Sequence, residues 1–249
     1  MRFPFFAQTT TFLILLASCG QAGLAIKSPP VTPDGVTQNE TIMSDGSNIQ
    51  GIYSTDLYPV NYNLQFKKVG VAAVVRNGDN FSAYVKMQYG QKDTALKQAI
   101  YTGRRCPNIN DDLNKDAYID IQEALIAIGQ VTIPLDHNID SQLEGMNEFP
   151  VGDNTYGKYF YEVQTSFQKM FADLKAPDEN PDDDMIKLSA ESGLTFPGRV
   201  IVLQGLNESV FLPETAGSNN GETAYRTMPV ACGVLWKVAK LPSELEGGD

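Results

Sequence analysis

The chain contains a single histidine, His137, among 249 residues. That scarcity removes most imidazole chemistry, because zinc sites and Ser-His-Asp or Cys-His arrangements need histidines placed beside defined partners. His137 lies in Pro134-Leu-Asp-His-Asn-Ile-Asp140 with no recognisable partner for general-base work, so it reads as a surface or capping residue. Basic residues are also scarce, 19 against 30 acidic for a formal charge of −11. Such a balance argues against nucleic acid, whose phosphates need basic patches, and fits a well-solvated protein able to hold cations. No phosphate-cradling glycine loop is present. The one distinct apolar run, Phe12 to Ala17, is too short to cross a bilayer.

What that run does fit is export. Arg2 precedes it and Ser18-Cys19-Gly20 follows, which is the layout of a signal peptide to be excluded from the fold. Leu16-Ala17-Ser18-Cys19 resembles the lipobox of bacterial lipoproteins, which implies residues 1–18 as signal and lipid on Cys19. The alternative is ordinary cleavage near Gly20 or Ala22, giving a freely secreted protein. Residues 19–58 are rich in Pro, Thr, Ser, Gly and Asn, as expected of a disordered tether. The folded domain is expected over 59–241, with a flexible tail at 242–249.

Within that domain the pattern is one of strands. Residues 62–69, 70–75 and 81–89 read as strands, the last two joined by a turn at Arg76-Asn-Gly-Asp79. Residues 92–101 read as a helical turn or a strand approach. Further strands are expected at 131–135, 158–164, 199–205, 209–213 and 228–238, and a short helix at 166–174 places Phe167, Met170, Phe171 and Leu174 on one face. Residues 178–184 form an acidic, proline-broken loop, read as a solvated charge run. Helices do not alternate regularly with strands, so an antiparallel sandwich or barrel is expected over a parallel sheet.

One stretch carries sharper chemistry. Counting from Asp112, side-chain oxygens fall at Asp112, Asn114, Asp116 and Asp120, a free carbonyl falls at Tyr118, and Glu123 closes a twelve-residue loop over 112–123. This is the ligand spacing of an EF-hand calcium loop, in which alternate side chains turn inward and a carboxylate at position twelve binds through both oxygens. Ile119 at position eight is the apolar anchor. Position six is Ala117, where the sharp turn normally calls for glycine, and a left-handed backbone there costs about 1–2 kcal/mol. An exiting helix follows, with Ile121, Ala124, Leu125 and Ile128 at helical spacing and Gly129 as a stop. No entering helix is expected, because Cys106-Pro107 precedes the loop.

The chain has three cysteines. If Cys19 carries lipid, Cys106 and Cys232 remain as a pair, and an exported protein sits where disulfides persist.

Two segments resemble a known family. Gly198-Arg-Val-Ile-Val-Leu-Gln204 is similar to the copper–zinc superoxide dismutase strand that runs from Gly-Arg to a copper-binding histidine. Ala231-Cys232-Gly233-Val234 is similar to that family's penultimate segment, whose cysteine bonds to one in a central loop; Cys106 stands at the corresponding place. The chain also resembles chordin-type (CHRD) domains of bacterial exported proteins, some with a calcium-type loop after that cysteine. The resemblance implies a mainly β, antiparallel Greek-key sandwich or barrel with the loop inserted and short helices. It also marks what is missing. The family's metal sites need about six histidines, whereas Gln204 stands at the copper-ligand position, Gln98 to Tyr101 hold none, and Pro229 replaces the active-site arginine.

The expectation is therefore a non-enzymatic, calcium-binding, lipid-anchored cell-envelope protein on a degenerate dismutase-like scaffold, with structural calcium and neither copper nor zinc. Its ligands would be Asp112, Asn114, Asp116, Tyr118, Asp120 and Glu123. Its partners would be the membrane, through lipid on Cys19, and an extracellular or periplasmic protein. The lack of Asp or Glu just after Cys19 points to the outer membrane. The competing readings are a metal-dependent oxidoreductase and an adhesion module presenting the acidic loop.

Overall fold

Along Val200–Gln204, Val200 and Val202 point to one apolar cluster while Ile201 and Leu203 point to another, and all five residues are buried. A strand covered on both faces loses the apolar/polar alternation of a half-exposed strand, and this one lies well inside the sheet. The computed structural model describes residues 50–61, 67–88, 92–141, 149–152, 157–176, 188 and 194–246, all within the unit Glu40–Asp249. The signal peptide with Cys19, the tether up to residue 49, residues 62–66 of the expected first strand and the acidic loop 178–184 lie outside the described residues.

The strands are β1 (Gly51–Pro59), β2 (Gly70–Asn77), β3 (Asn80–Met87), β4 (Lys97–Tyr101), β5 (Val131–Pro134), β6 (Tyr159–Ser166), β7 (Val200–Gln204), β8 (Pro229–Val234) and β9 (Trp236–Val238). All their pairings are antiparallel, in the order β5-β4-β7-β8-β1-β2-β3-β6, with β9 beside β1. The fold is thus mainly β, as expected, and the sheet curls into a half-barrel. Neighbours distant in sequence, β3 with β6 and β4 with β7, give the sheet a Greek-key strand order. β1 turns the corner, pairing β2 along Gly51–Leu57 and β8 only at Tyr58 and Pro59.

Period-two alternation then sorts the side chains. The inner face gathers Tyr53, Leu57, Val74, Phe81, Ile100, Ile133, Ile201 and Leu203, and helix α2 (Phe167–Lys175) adds Phe167, Met170, Phe171 and Leu174 from its predicted face. Phe196 packs between Tyr53 and Phe81, with ring centroids at 5.4 and 5.7 Å. On the outer face of β4, β7 and β8 lies helix α1 (Ile121–Ile128), burying Ile121, Ala124, Ala127 and Ile128 against Tyr101, Val200, Val202 and Cys232.

Several expected boundaries move. β1 begins at Gly51, inside the expected tether, because Tyr53 and Leu57 are fully buried although Ser54, Thr55 and Asp56 dilute the local composition. Residues 242–246 of the expected tail also join the domain, since Leu245 sits in a one-turn helix at Ser243–Leu245 and packs with Val71 and Ala73. Of residues 92–101, Lys97–Tyr101 form strand β4, while 92–96 form a turn and a single bridge from Ala95 to Val151. Residues 209–213 form no strand: Val210 N–H turns back to Asn207 O at 3.0 Å, and Phe211 is 80% exposed. The expected strand at 228–238 is divided at Leu235 into β8 and β9.

Candidate functional site

The loop 112–123 is held at both ends before any of its own chemistry matters. At the front, Cys106 and Cys232 are joined as a disulfide, with Cα atoms 5.8 Å apart, tying the loop's approach to β8. Next to it, Arg105 grips Asp111 through a two-pronged pair at 2.6 and 2.7 Å, and Asp111 also accepts the Asn108 N–H at 2.8 Å. The guanidinium holds the Asp111 carboxyl below the usual range, outweighing the upward push of burial. A one-turn helix at Ile109–Asp111 stands where an entering helix was not expected. At the back, Asp120 caps α1 by accepting the Glu123 N–H at 3.1 Å, while Glu123 Oε2 accepts the Asp120 N–H at 3.2 Å. This reciprocal capping box was legible in Asp120-x-x-Glu123 and was not read there.

Between these anchors the loop turns back on its own backbone. Ala117 adopts φ 71°, the left-handed conformation assigned to position six, and donates its N–H to Asp112 Oδ2 at 3.0 Å. Asn114 Oδ1 accepts the Asp116 N–H at 2.9 Å and Asp116 Oδ1 accepts the Tyr118 N–H at 2.8 Å, successive turns of the kind short polar side chains make with their own backbone. Glu123 reaches back across the loop, its Oε1 accepting the Leu113 and Asn114 N–H groups at 2.7 and 3.1 Å. Ile119 is anchored by Asn61, whose Oδ1 accepts its N–H at 2.7 Å and whose Nδ2 donates to its carbonyl at 3.2 Å and to Pro229 O at 3.0 Å. Asn61 is buried, and its side chain plays the part of a strand partner for position eight.

The four carboxylates do not converge on one point. Among the described residues no group of three or more His, Cys, Asp or Glu could hold a metal ion as it stands. Instead, seven of the eight carboxylate oxygens of Asp112, Asp116, Asp120 and Glu123 accept N–H or O–H donors. The eighth, Asp112 Oδ1, is buried without a donor. A buried acceptor on a charged group normally has a partner, and among the described residues this is the one buried side-chain oxygen of the loop without one.

Sequence reasoning missed a second layer. The connection between β7 and β8 lays residues 211–218 along the loop. Thr215 Oγ1 donates to Asp116 Oδ2 and Gly217 N–H to Asp120 Oδ2, each at 2.6 Å. Asn114 Nδ2 donates to Thr215 O at 3.4 Å, Tyr118 OH to Phe211 O at 3.2 Å and Gln122 Nε2 to Ser218 O at 2.9 Å. Glycine at 217 permits this close approach, since a Cβ there would stand 2.9 Å from Asp120 Oδ2 and press on the Gln122 side chain. No local pattern announces these contacts, which span about a hundred residues of sequence.

The strand positions that the family resemblance points to hold neutral pairs. Gln204 Nε2 donates to the Tyr101 hydroxyl at 2.5 Å, and the Tyr159 hydroxyl donates to Gln98 Oε1. The Tyr161 hydroxyl donates to Asp136 O at 2.6 Å. Burial pushes both Tyr159 and Tyr161 phenols up, so they stay neutral. His137 is exposed. Arg199 spans from its turn to Thr102 O at 2.8 Å and Thr195 O at 3.2 Å, a structural brace.

No protein-family profile matches the sequence, and no characterised protein matches it. Among solved structures, the chain is similar to a copper–zinc superoxide dismutase from Brucella abortus, at 17% identity over 74% of this chain and 98% of that one, with a TM-score of 0.40. It is also similar to a superoxide dismutase-like protein from Bacillus subtilis, at 11% identity over 74% and 97% of the two chains and a TM-score of 0.33. A single-substitution variant of that protein gives 13% identity, 73% and 95% coverage and a TM-score of 0.37.

Proposed function

We propose that this protein is a non-enzymatic, calcium-binding module of a bacterial cell envelope, carried on a dismutase-like scaffold whose metal histidines have been replaced. The observation that carries the proposal is Asp112 Oδ1, a buried carboxylate oxygen with no donor, at the first position of a loop whose left-handed turn falls at position six. Asp112, Asn114, Asp116, Asp120, Glu123 and the Tyr118 carbonyl would hold the ion. A bound divalent cation would supply the positive charge that lets four carboxylates share a corner. Binding asks Glu123 to exchange backbone N–H partners for the ion, and it asks Ala117 to keep a strained turn. Both work against affinity, and about 10⁻⁴ to 10⁻³ M is expected, the range of extracellular modules.

The neutral pairs Gln204–Tyr101 and Gln98–Tyr159 support the non-enzymatic reading, since amide and phenol groups already bonded to each other offer no open ligand set for copper or zinc. The envelope placement is supported by the Leu16-Ala17-Ser18-Cys19 motif, through which Cys19 would carry lipid and the tether would hold the domain off an outer membrane, facing an extracellular or periplasmic protein.

Thermal unfolding with and without millimolar calcium tests the reading. The wild type is expected to gain several degrees in Tm with calcium, whereas Glu123→Gln should have a lower Tm without the ion, through its weakened cap, and gain nothing from it. A wild-type Tm indifferent to calcium would overturn the proposal.

A further inference from the structure

With 30 acidic residues against 19 basic ones, carboxylate partners for an arginine are plentiful in this chain. Arg105 takes Asp111, and Arg226 lies 3.9 Å from Glu222. Arg104 and Arg199 instead meet only carbonyls among the described residues. Arg104 Nη1 donates to Pro197 O at 2.8 Å, while Arg199 donates from Nη1 to Thr102 O at 2.8 Å and from Nε to Thr195 O at 3.2 Å. Each side chain thus crosses to the other's stretch of backbone, Arg104 from 102–104 to the turn 195–199 and Arg199 in the reverse direction. Gly198, in the left-handed region at φ 75°, lies beneath the crossing, where a Cβ would stand 3.0 Å from Arg104 Nη1 and 3.9 Å from Trp236 Cη2.

The crossing leaves two positive charges side by side. Guanidiniums stay charged in proteins, and burial first, then the neighbouring Arg104 charge, push Arg199 downward. Each guanidinium carries five N–H groups, and of the ten in the pair three are given to these carbonyls. Carbonyl dipoles offset part of each charge, and what remains is repulsion that an anion would relieve. We propose that Arg104 and Arg199 form a receptor for a phosphate group, whose double negative charge matches the pair and whose oxygens take the N–H forks that the carbonyls leave over. A carboxylate carries one charge and fills one fork, whereas a phosphate can engage both. The frame is fixed before any ligand arrives: Gly198 N–H donates to Leu235 O at 2.7 Å, Leu235 N–H to Arg199 O at 2.8 Å and Gly103 N–H to Ile128 O at 2.6 Å. Little ordering is left for binding to cost. Arg104 is exposed, so the receptor opens to solvent, and Trp236 stands at its margin with 43% of its surface exposed. The inference asks nothing of the acidic loop and is independent of the calcium reading.

Trp236 is the chain's one tryptophan, so its fluorescence reports on this site directly. The full chain would be titrated with sodium phosphate, and with sodium chloride at matched ionic strength, as wild type, Arg104→Gln, Arg104→Lys and Arg105→Gln, following Trp236 emission and Tm. A second arm would offer the same proteins phosphatidylcholine vesicles with and without phosphatidic acid, to separate free phosphate from a lipid headgroup. The expected result is a saturable response to phosphate and none to chloride. Affinity should fall roughly tenfold or more in Arg104→Gln, which loses charge-assisted hydrogen bonds. Arg104→Lys, which keeps the charge and loses the fork, should fall between the two. Arg105→Gln removes an equal charge one residue away and should bind as the wild type does. A response confined to the phosphatidic acid vesicles, with the same dependence on Arg104, would uphold the receptor and name the headgroup as its source. No saturable response in either arm would overturn the proposal, as would chloride acting as well as phosphate or equal affinity in Arg104→Gln. An equal loss in Arg105→Gln would also overturn it, because the general field of the surface would then account for binding. Should Arg104→Gln not fold, Arg104→Lys decides, and wild-type affinity in that variant would overturn the receptor.

Discussion

Two polar regions of the domain have been resolved in opposite ways. On the strands, Gln204 meets Tyr101 and Gln98 meets Tyr159, neutral group against neutral group in a buried setting. In the corner loop, four carboxylates are compensated by backbone N–H groups, one hydroxyl and one side-chain amide, and one oxygen is left over. A buried neutral pair is finished chemistry, because each partner satisfies the other at no cost in charge. A cluster of carboxylates is unfinished, because N–H dipoles offset only part of each charge and the remainder favours a cation. The difference leaves net negative charge in the loop and none in the strand pairs.

The largest effect separating the two regions should come from the disulfide. It closes a sequence separation of 126 residues, for which chain-entropy models give about 4–5 kcal/mol. Cys106→Ser with Cys232→Ser is expected to lower the urea midpoint accordingly. Exchange protection should be lost first over the 106–120 segment, whose front would be freed, with the β4 and β7 amides following only on global unfolding. Equal loss in both places would mean that the corner is not a separate unit and would blunt the comparison.

A smaller effect tests the strand region. Tyr101→Phe removes the acceptor of the Gln204 amide and is expected to cost about 1–3 kcal/mol, and Gln204→Leu a similar amount. The double variant should cost clearly less than the sum, because the hydrogen bond between the two side chains can be lost only once. Additive losses in urea unfolding would show that the two side chains do not act as a pair.

How much of this could be read in advance follows from the range of the interactions. The continuous apolar runs of β2 and β7, the alternation along β3 and the amphipathic face of α2 are local, and each was legible because burial writes its pattern into consecutive residues. The loop's left-handed Ala117 and the helix stop at Gly129 were legible for the same reason. β1 was hidden because its buried residues Tyr53 and Leu57 are separated by polar ones in a Ser- and Thr-rich context. Residues 209–213 misled in the opposite sense: Val210, Phe211 and Leu212 look like a strand, yet Phe211 O is taken by Tyr118 and the segment finds no ladder. Asn61, Thr215 and Gly217 were invisible, since each acts on residues some 58 to 99 positions away.

The smallest effect concerns how firmly the loop's front is held, and it depends on pH. Asp111 has its carboxyl lowered by Arg105 first, and also by the Asn108 N–H, against a burial that raises it. A carboxyl whose folded value is depressed contributes stability that is complete above its unfolded value, about 3.9. That contribution fades as pH falls through the lower folded value. Because the Arg105 side chain is 48% exposed, solvent screening limits the pair to about 1 kcal/mol or less. Arg105→Gln should therefore trail the wild type slightly in urea midpoint at pH 7, and the gap should close as the solution is taken below pH 4. Asp111 would keep its bond from Asn108, so part of its depression survives the substitution. A gap that persisted unchanged into strong acid would mean that Arg105 stabilises the corner through its aliphatic stem, leaving Cys106 and α1 as the anchors that shape the loop.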